Sequence, residues 1–328
     1  MTNDIQIQNF RPQDLAALVE LINQADAVDG LERATTLEEM EEEINWPNYQ
    51  ATTDSFLAWS GQRLVGYADF FLRNNGNGNG IGDSIFYSEG VVHPEWRKQG
   101  LGRRLMETIF RRAEERLAEI GQGPVHLQVG CRQVEPDRQA LMEDMGMARA
   151  RYFVNMARPI DNGLPPVTLP AGFRLRPFDL ARDTKAVWRV DTEAFKDHWG
   201  YTGFPLDEFL HWIEEPSFRP ELCVLAEEES GGQVVGISLN KIDPNWIKKT
   251  GRQEGYVSTL AVLRPYRGRG LGTALLAQSL RTLRQAGMSA AHLTADTENL
   301  TGAMRIYEGV GFEPRKTFIV YRKTLRSA

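Results

Sequence analysis

Cysteine is scarce in this 328-residue chain, and long apolar runs and an excess of basic charge are missing from it. Its two cysteines, Cys131 and Cys223, lie far apart and make neither a CxxC pair nor a zinc spacing. That argues against a disulfide framework and against a structural metal site. No stretch approaches the ~18 apolar residues that a membrane-spanning helix needs. The first residues, MTNDIQIQNFRPQ, lack the charged-then-apolar order of a secretory leader. The expectation is a cytoplasmic protein with no membrane partner. The net charge of −6 lacks the basic footprint of a nucleic-acid binder. The acidity is uneven, since residues 1–160 hold 16 Lys and Arg against 24 Asp and Glu. Much of it sits in Glu38 to Glu43. That run reads as a solvated helix face, or as an acidic rim that attracts a cationic substrate.

What the chain does have is a long internal repeat. Val91-Val92-His93-Pro94-Glu95-Trp96-Arg97-Lys98-Gln99-Gly100-Leu101-Gly102 returns as Ala261-Val262-Leu263-Arg264-Pro265-Tyr266-Arg267-Gly268-Arg269-Gly270-Leu271-Gly272. Gly100 and Gly270 are 170 positions apart, about one domain and too long for a solenoid period. The first copy carries one residue more between its proline and its arginine. A Pro- and Gly-rich stretch without period, Arg158 to Gly172, reads as a linker. The expected organisation is one domain over 1–160, a linker over 161–171 and a second domain over 172–328.

Both halves predict the same order of elements. In the first, strands fall at 4–9, 55–59, 64–72, 84–92, 124–130 and 150–157, with helices at 12–25, 101–119 and 136–144. In the second, strands fall at 173–176, 222–226, 234–240, 256–263, 290–295 and 317–321, with helices at 179–195, 271–286 and 300–308. Helices punctuating a mixed sheet make an α/β layer architecture. Asn74 to Gly80 reads as a flexible hairpin tip.

Glycines between a strand and a helix let backbone N–H groups face an anion at the positive end of the helix. Pyrophosphate is a natural guest. The dinucleotide fingerprint fails, because the loop follows the fourth strand and lacks a third glycine. The P-loop fails as well, because Gly272-Thr273 has no lysine between.

The motif Arg267 to Gly272 after Thr259-Leu260-Ala261-Val262, followed by Asn299-Leu300-Thr301-Gly302-Ala303-Met304-Arg305-Ile306-Tyr307-Glu308-Gly309-Val310-Gly311-Phe312, resembles the GNAT superfamily of N-acetyltransferases. The first half keeps the loop but puts Met142 and Met147 where Tyr307 and Phe312 stand. The tandem arrangement and Glu193-Ala194-Phe195-Lys196-Asp197-His198 are similar to mycothiol synthase-like proteins, double-domain members whose C-terminal half is active. Those tend to continue with Pro-Glu-Gln-Gly. Here Trp199-Gly200-Tyr201-Thr202-Gly203 follows, which leaves the acceptor open.

The resemblance implies two tandem GNAT-like domains, each a mixed, mostly antiparallel sheet flanked by helices. It implies acetyl transfer from acetyl-CoA to a small-molecule amine in a ternary complex. Arg267, Gly268, Arg269, Gly270, Leu271, Gly272 and Thr273 would hold the pyrophosphate. Leu260, Ala261 and Val262 would pair with the pantetheine arm as an added strand, and Asn299 would face the coenzyme. Tyr307 is the candidate general acid for the leaving thiolate, since a phenol stays protonated at neutral pH. Glu254 is the candidate base. Val91, Val92, Arg97, Gly100 and Gly102 would give the first half a second coenzyme site. With Met142 in place of tyrosine, that half is expected to be slow or inactive. The chain is expected as a monomer, internally a pseudo-dimer, or as a homodimer. Two other readings stand beside this one: a protein or peptide N-acetyltransferase, and a non-catalytic acyl-CoA sensor.

Overall fold

The computed structural model describes residues 5–31, 35–73, 83–160, 163–299 and 302–327. The Asn74–Gly80 stretch falls outside them. In chain order the elements of the first part are β1 (Ile5–Asn9), α1 (Leu15–Val28), α2 (Leu37–Ile44), α3 (Ala51–Asp54), β2 (Ser55–Ser60) and β3 (Arg63–Arg73). They continue with β4 (Ser84–Val92), α4 (Leu101–Arg116), β5 (Val125–Arg132), α5 (Pro136–Asp144) and β6 (Ala148–Pro159). The second part has β7 (Phe173–Pro177), α6 (Leu180–Phe195), α7 (Leu206–Glu214), β8 (Val224–Glu228), β9 (Val234–Lys241) and α8 (Pro244–Thr250). It ends with β10 (Glu254–Val262), α9 (Leu271–Gln285), β11 (Ala290–Asp296), α10 (Ala303–Gly309) and β12 (Glu313–Arg326).

Two compact units result, Met1–Ala150 with Ile319–Ala328, and Arg151–Phe318. Their strand orders correspond. The first runs β1-β2-β3-β4-β5 and ends on β12; the second runs β7-β8-β9-β10-β11 and ends on β6. In both, consecutive strands pair antiparallel until the fourth, which pairs parallel with the fifth. This is the mixed, mostly antiparallel sheet with flanking helices that the resemblance implies.

The sixth strands follow a different rule from the 1–160 and 172–328 division expected above. β6 pairs antiparallel with β11 over seven positions, from Phe153↔Asp296 to Pro159↔Ala290. Its Val154 and Met156 join the second unit's core beside Leu280, Leu293 and Tyr307. The last residues of the chain complete the first unit. Ile319 and Tyr321 are buried with Ile109, Leu127 and Met142. The Tyr321 hydroxyl donates to Glu143 at 2.9 Å, and Arg326 Nε donates to the Gly123 carbonyl at 2.9 Å. Each large side chain buried this way contributes roughly 1.5–3 kcal/mol. Residues 163–170, within the expected linker, carry no helix or strand.

Most predicted elements appear within a few residues of expectation. The helix expected from 300 starts at Ala303, and the last strand is longer than expected. The Glu38–Glu43 run lies in α2, capped by Thr36 and Glu39 and burying Met40. No helix among the described residues is long and apolar enough to cross a membrane, and none of their His, Cys, Asp and Glu groups makes a metal-binding cluster. Both cysteines are free and buried.

Candidate active site

In the second unit, β10 carries a bulge and then loses a neighbour. Val257 faces Asn240 and Thr259 faces Leu239, so Ser258 has no residue opposite it on β9. Ser258 Oγ donates to the Leu239 carbonyl at 3.0 Å. Parallel pairing with β11 covers only Glu254, Gly255 and Tyr256. From Val257 onward, through Leu260, Ala261 and Val262, β10 is paired on the β9 side alone. A wedge opens there between β10 and β11, the kind of strand edge that accepts an added strand. Gly255 permits the close packing behind it, since a Cβ there would lie 2.6 Å from Leu283 of α9.

The glycine loop lies at the end of this strand. Leu263 starts a single 3-10 turn over Arg264–Tyr266. Gly268 and Gly270 then take φ of +75° and +89°, the left-handed region where glycine is favoured. Gly270 is the N-cap of α9, and α9 buries Leu271, Leu275, Leu276, Leu280 and Leu283 on the sheet. Thr273 lies in the first turn of α9. Arg267 braces the loop: Nε donates to the Val262 carbonyl and Nη2 to the Ala194 carbonyl, both at 2.9 Å. The Arg269 guanidinium lies 5.5 Å from the Tyr266 ring centre.

Tyr307 of α10 is 9% exposed and packs edge-on to Phe312 with ring centres 6.5 Å apart. Burial pushes its phenol up to about 12, and the nearby Tyr256 adds to the shift. Tyr256 is the last residue of β10 paired with β11, and its hydroxyl donates to Thr294 Oγ1 at 2.7 Å. Tyr307 is therefore within electrostatic reach of the residue at which the wedge begins. Asn299 sits in the turn after β11, its N–H bonded to the Asp296 carbonyl.

Glu254 opens β10 and is largely buried. Its Oε2 accepts from Trp246 Nε1 at 3.0 Å and lies 3.4 Å from both Arg252 Nε and His292 Nε2. His198 feels the charges of Asp296 and Arg267, and burial lowers its pKa. Arg151 clamps Asp296, bonds Glu298, and lies 5.7 Å from the Trp199 ring centre.

The first unit repeats the loop residue for residue. Val92, Arg97, Gly100 and Gly102 keep the 170-residue offset to their counterparts, so the two loops are equal in length. The proline merely stands one place earlier in the turn Pro94–Trp96. Lys98 takes φ +59° where Gly268 stands. Arg97 Nε donates to the Val92 carbonyl at 3.0 Å, as Arg267 does to Val262, and its Nη atoms grip Asp29. The wedge differs. β4 has no bulge, and Ser88 is answered by Phe70. Parallel pairing runs two residues further, to Ser88↔Val129. Beyond it, Arg138 of α5 donates from Nη1 to the Gly90 carbonyl at 2.9 Å. Leu141 meets Gly102 as Ile306 meets Gly272, so Arg138 corresponds to Ala303 and Met142 to Tyr307.

Two such sites on one repeated fold carry the assignment once the chain is compared with known proteins. A model described as the acetyltransferase (GNAT) family matches residues 20–130 and again residues 184–312. The chain belongs to the GNAT family of acetyltransferases. It is 32% identical over 267 residues to the mycothiol acetyltransferase of Thermobispora bispora, covering 81% of this chain and 82% of that one. Identity to the enzyme of the same name from Thermomonospora curvata is 33% over 235 residues, 71% of this chain and 72% of that one. Among solved structures, a GCN5-related N-acetyltransferase from Sphaerobacter thermophilus superposes with a TM-score of 0.76 at 25% identity, covering 99% of this chain and 96% of that one. A tandem GNAT protein from the clavulanic acid biosynthesis pathway gives 0.68 at 15% identity, with 99% and 100% covered. The protein is thus an acyltransferase enzyme of tandem GNAT architecture.

Sequence reasoning missed three groups here. Tyr256 was hidden as an ordinary strand aromatic. Arg138 reads from sequence as a surface residue of a short helix. Asp191 lies on the buried face of α6, where its neighbours Val187, Val190 and Ala194 gave the only visible pattern.

Proposed function

We propose that the second unit transfers acetyl from acetyl-CoA to a primary amine of a small molecule, by direct attack in a ternary complex. The observation that carries this reading is the wedge at Val257–Val262, which runs straight into the glycine loop and has Tyr307 beside its origin. The free edge at Leu260, Ala261 and Val262 suits the amide-bearing pantetheine arm. The N–H groups from Gly268 to Thr273, at the N-terminus of α9, suit the pyrophosphate. Arg267 acts as the brace of that loop, because its guanidinium is committed to two carbonyls. An unpaired N–H near the bulge polarises the thioester carbonyl, Tyr307 protonates the leaving thiolate, and Glu254 receives the amine proton, directly or through water. The names of the curated relatives support a small-molecule acceptor.

In the first unit Val91, Val92, Arg97, Gly100 and Gly102 keep the loop, but Arg138 holds the strand edge. The proposal therefore confines the coenzyme to the second unit. Coenzyme A release with a panel of amines tests the whole reading. Tyr307→Phe lowers kcat by about 100-fold or more, the scale of a lost general acid. With the phenol held near 12, its ionisation removes no activity below about pH 10. An unchanged kcat takes Tyr307 out of the mechanism. Tight acetyl-CoA binding without turnover of any amine favours the sensor instead.

A further inference from the structure

α6 packs on β9 and β10 and buries Val187, Val190, Asp191 and Ala194 on one face. Three of these belong in a core. Asp191 does not, yet it is only 8% exposed. Among the described residues no hydrogen bond or ion pair reaches its carboxylate, and burial raises its pKa to about 7. Two more buried hydroxyls stand close to it, those of Thr192 and Tyr201, and they interact with each other. The Asp191 charge acts on the Tyr201 phenol and, with burial, raises its pKa. A carboxylate this deeply buried without a donor opposes folding, and an aliphatic side chain at 191 would carry no such cost.

Their position gives the reason. Ala194, one turn along the same face of α6, gives its carbonyl to Arg267, the brace of the glycine loop. At 1.5 Å per residue, Asp191 stands about 4.5 Å up the helix axis from that junction. Tyr201 belongs to the segment after α6, where the chain departs from the Pro-Glu-Gln-Gly run. Asp69 of the first unit is the contrasting case. It is as deeply buried, but accepts from the Tyr49 hydroxyl at 2.7 Å and from the Glu89 N–H at 3.2 Å. A buried carboxylate with its donors supplied needs nothing further. One without them can still accept a hydrogen bond from a donor that the chain does not supply.

We propose that Asp191 is the counter-charge for a cationic group of the acceptor, with Tyr201 and Thr192 as its hydroxyl-bearing partners. The acceptor class is then a small aliphatic amine that arrives as an ammonium ion. This rests on the acetyltransferase reading given above. The hydroxyls add selectivity for an acceptor with polar atoms close to its cationic group, since such an acceptor completes their hydrogen bonding.

The test compares acceptors that carry charge with acceptors that do not. Putrescine, glucosamine and cysteine amide supply ammonium groups, and p-anisidine supplies an aromatic amine that is neutral at pH 7.5. In the full-length protein, Asp191→Asn raises KM for the ammonium acceptors by tenfold or more, the scale of one charge-assisted hydrogen bond. KM for p-anisidine and for acetyl-CoA stays within about twofold. Tyr201→Phe, which keeps the ring, raises the same acceptor KM by about threefold. A thermal midpoint for Asp191→Asn at or above that of the parent shows that the fold is intact, because the variant removes an uncompensated buried charge. Ammonium KM values unchanged by Asp191→Asn overturn the proposal and leave the acetyltransferase reading standing. Equal losses for ammonium and aniline acceptors overturn it too. No turnover by the parent with any amine overturns the acetyltransferase reading, and this inference falls with it.

Discussion

The two units diverge most where their fourth strands leave their parallel neighbours. In the second unit the gap is bordered by a bulge at Ser258, by Tyr256 and Tyr307, and by Ala303, too short to reach the strand. In the first unit the strand is unbulged, Met142 fills the tyrosine position, and the Arg138 guanidinium lies on the Gly90 carbonyl. Yet the glycine loops of the two units match at their positive-φ positions, with the arginine Nε on the corresponding carbonyl and the same left-handed cap. The loop has a structural duty of its own, since it turns the chain from strand to helix and caps α4 or α9. Its survival therefore says little about coenzyme binding. The side chains at the wedge carry that information.

The sharpest way to break this comparison is to make the same change in both loops. Gly270→Glu and Gly100→Glu place the same residue at φ near +85°, so both carry a similar strain of about 1 kcal/mol. Gly270→Glu also sets a carboxylate in the proposed pyrophosphate nest. Calorimetric titration with acetyl-CoA is expected to show a loss of about 100-fold or more for Gly270→Glu and a change within about twofold for Gly100→Glu. Equal losses would erase the distinction between the units.

A smaller effect comes from opening the first wedge. The parent is expected to take up one acetyl-CoA per chain. Arg138→Ala frees the Gly90 carbonyl and admits a second, weaker equivalent, while stability falls by about 1–3 kcal/mol for the orphaned backbone group. Two equivalents in the parent would show that Arg138 is no plug. The smallest effect concerns the loop alone. Lys98 holds a left-handed conformation that Gly268 adopts freely. Lys98→Gly is expected to gain roughly 1 kcal/mol and Gly268→Lys to lose a similar amount, each moving Tm by about 2–4 °C.

Much of this was legible before any coordinates. The 170-residue repeat placed both loops, and the Asn299–Phe312 motif singled out Tyr307. α8 was not among the predicted helices, although its signals stand in the sequence: Asp243 as N-cap, Pro244 at the first position and Gly251 at the end. α7 had its apolar spacing in Leu206, Phe209, Leu210 and Ile213, but nine residues make a faint period. The bulge at Ser258 leaves no mark, because it depends on β9 having one residue fewer opposite it. Arg138 and Asp191 were missed for a common reason. What matters about each is its partners, one holding a distant carbonyl and the other holding nothing, and partners are set by tertiary packing. Likewise, alternation identifies a strand but does not name its neighbour, so the exchange of β6 and β12 was out of reach.

That exchange gives the chain an order of completion. The ribosome makes the first unit's residues to Ala150 first, then all of Arg151–Phe318, and only then Ile319–Ala328. At bacterial-to-eukaryotic synthesis rates, the interval is about 10–30 s. Throughout it β5 has no sixth strand beside it, and the core around Ile109 and Leu127 lacks Ile319 and Tyr321. An open strand edge is a template for wrong pairing. The second unit has the opposite schedule, because β6 is made before every strand it will join. The portion of the chain that emerges first is thus the last to close, and a nascent chain that stalls before Ile319 leaves its older half exposed.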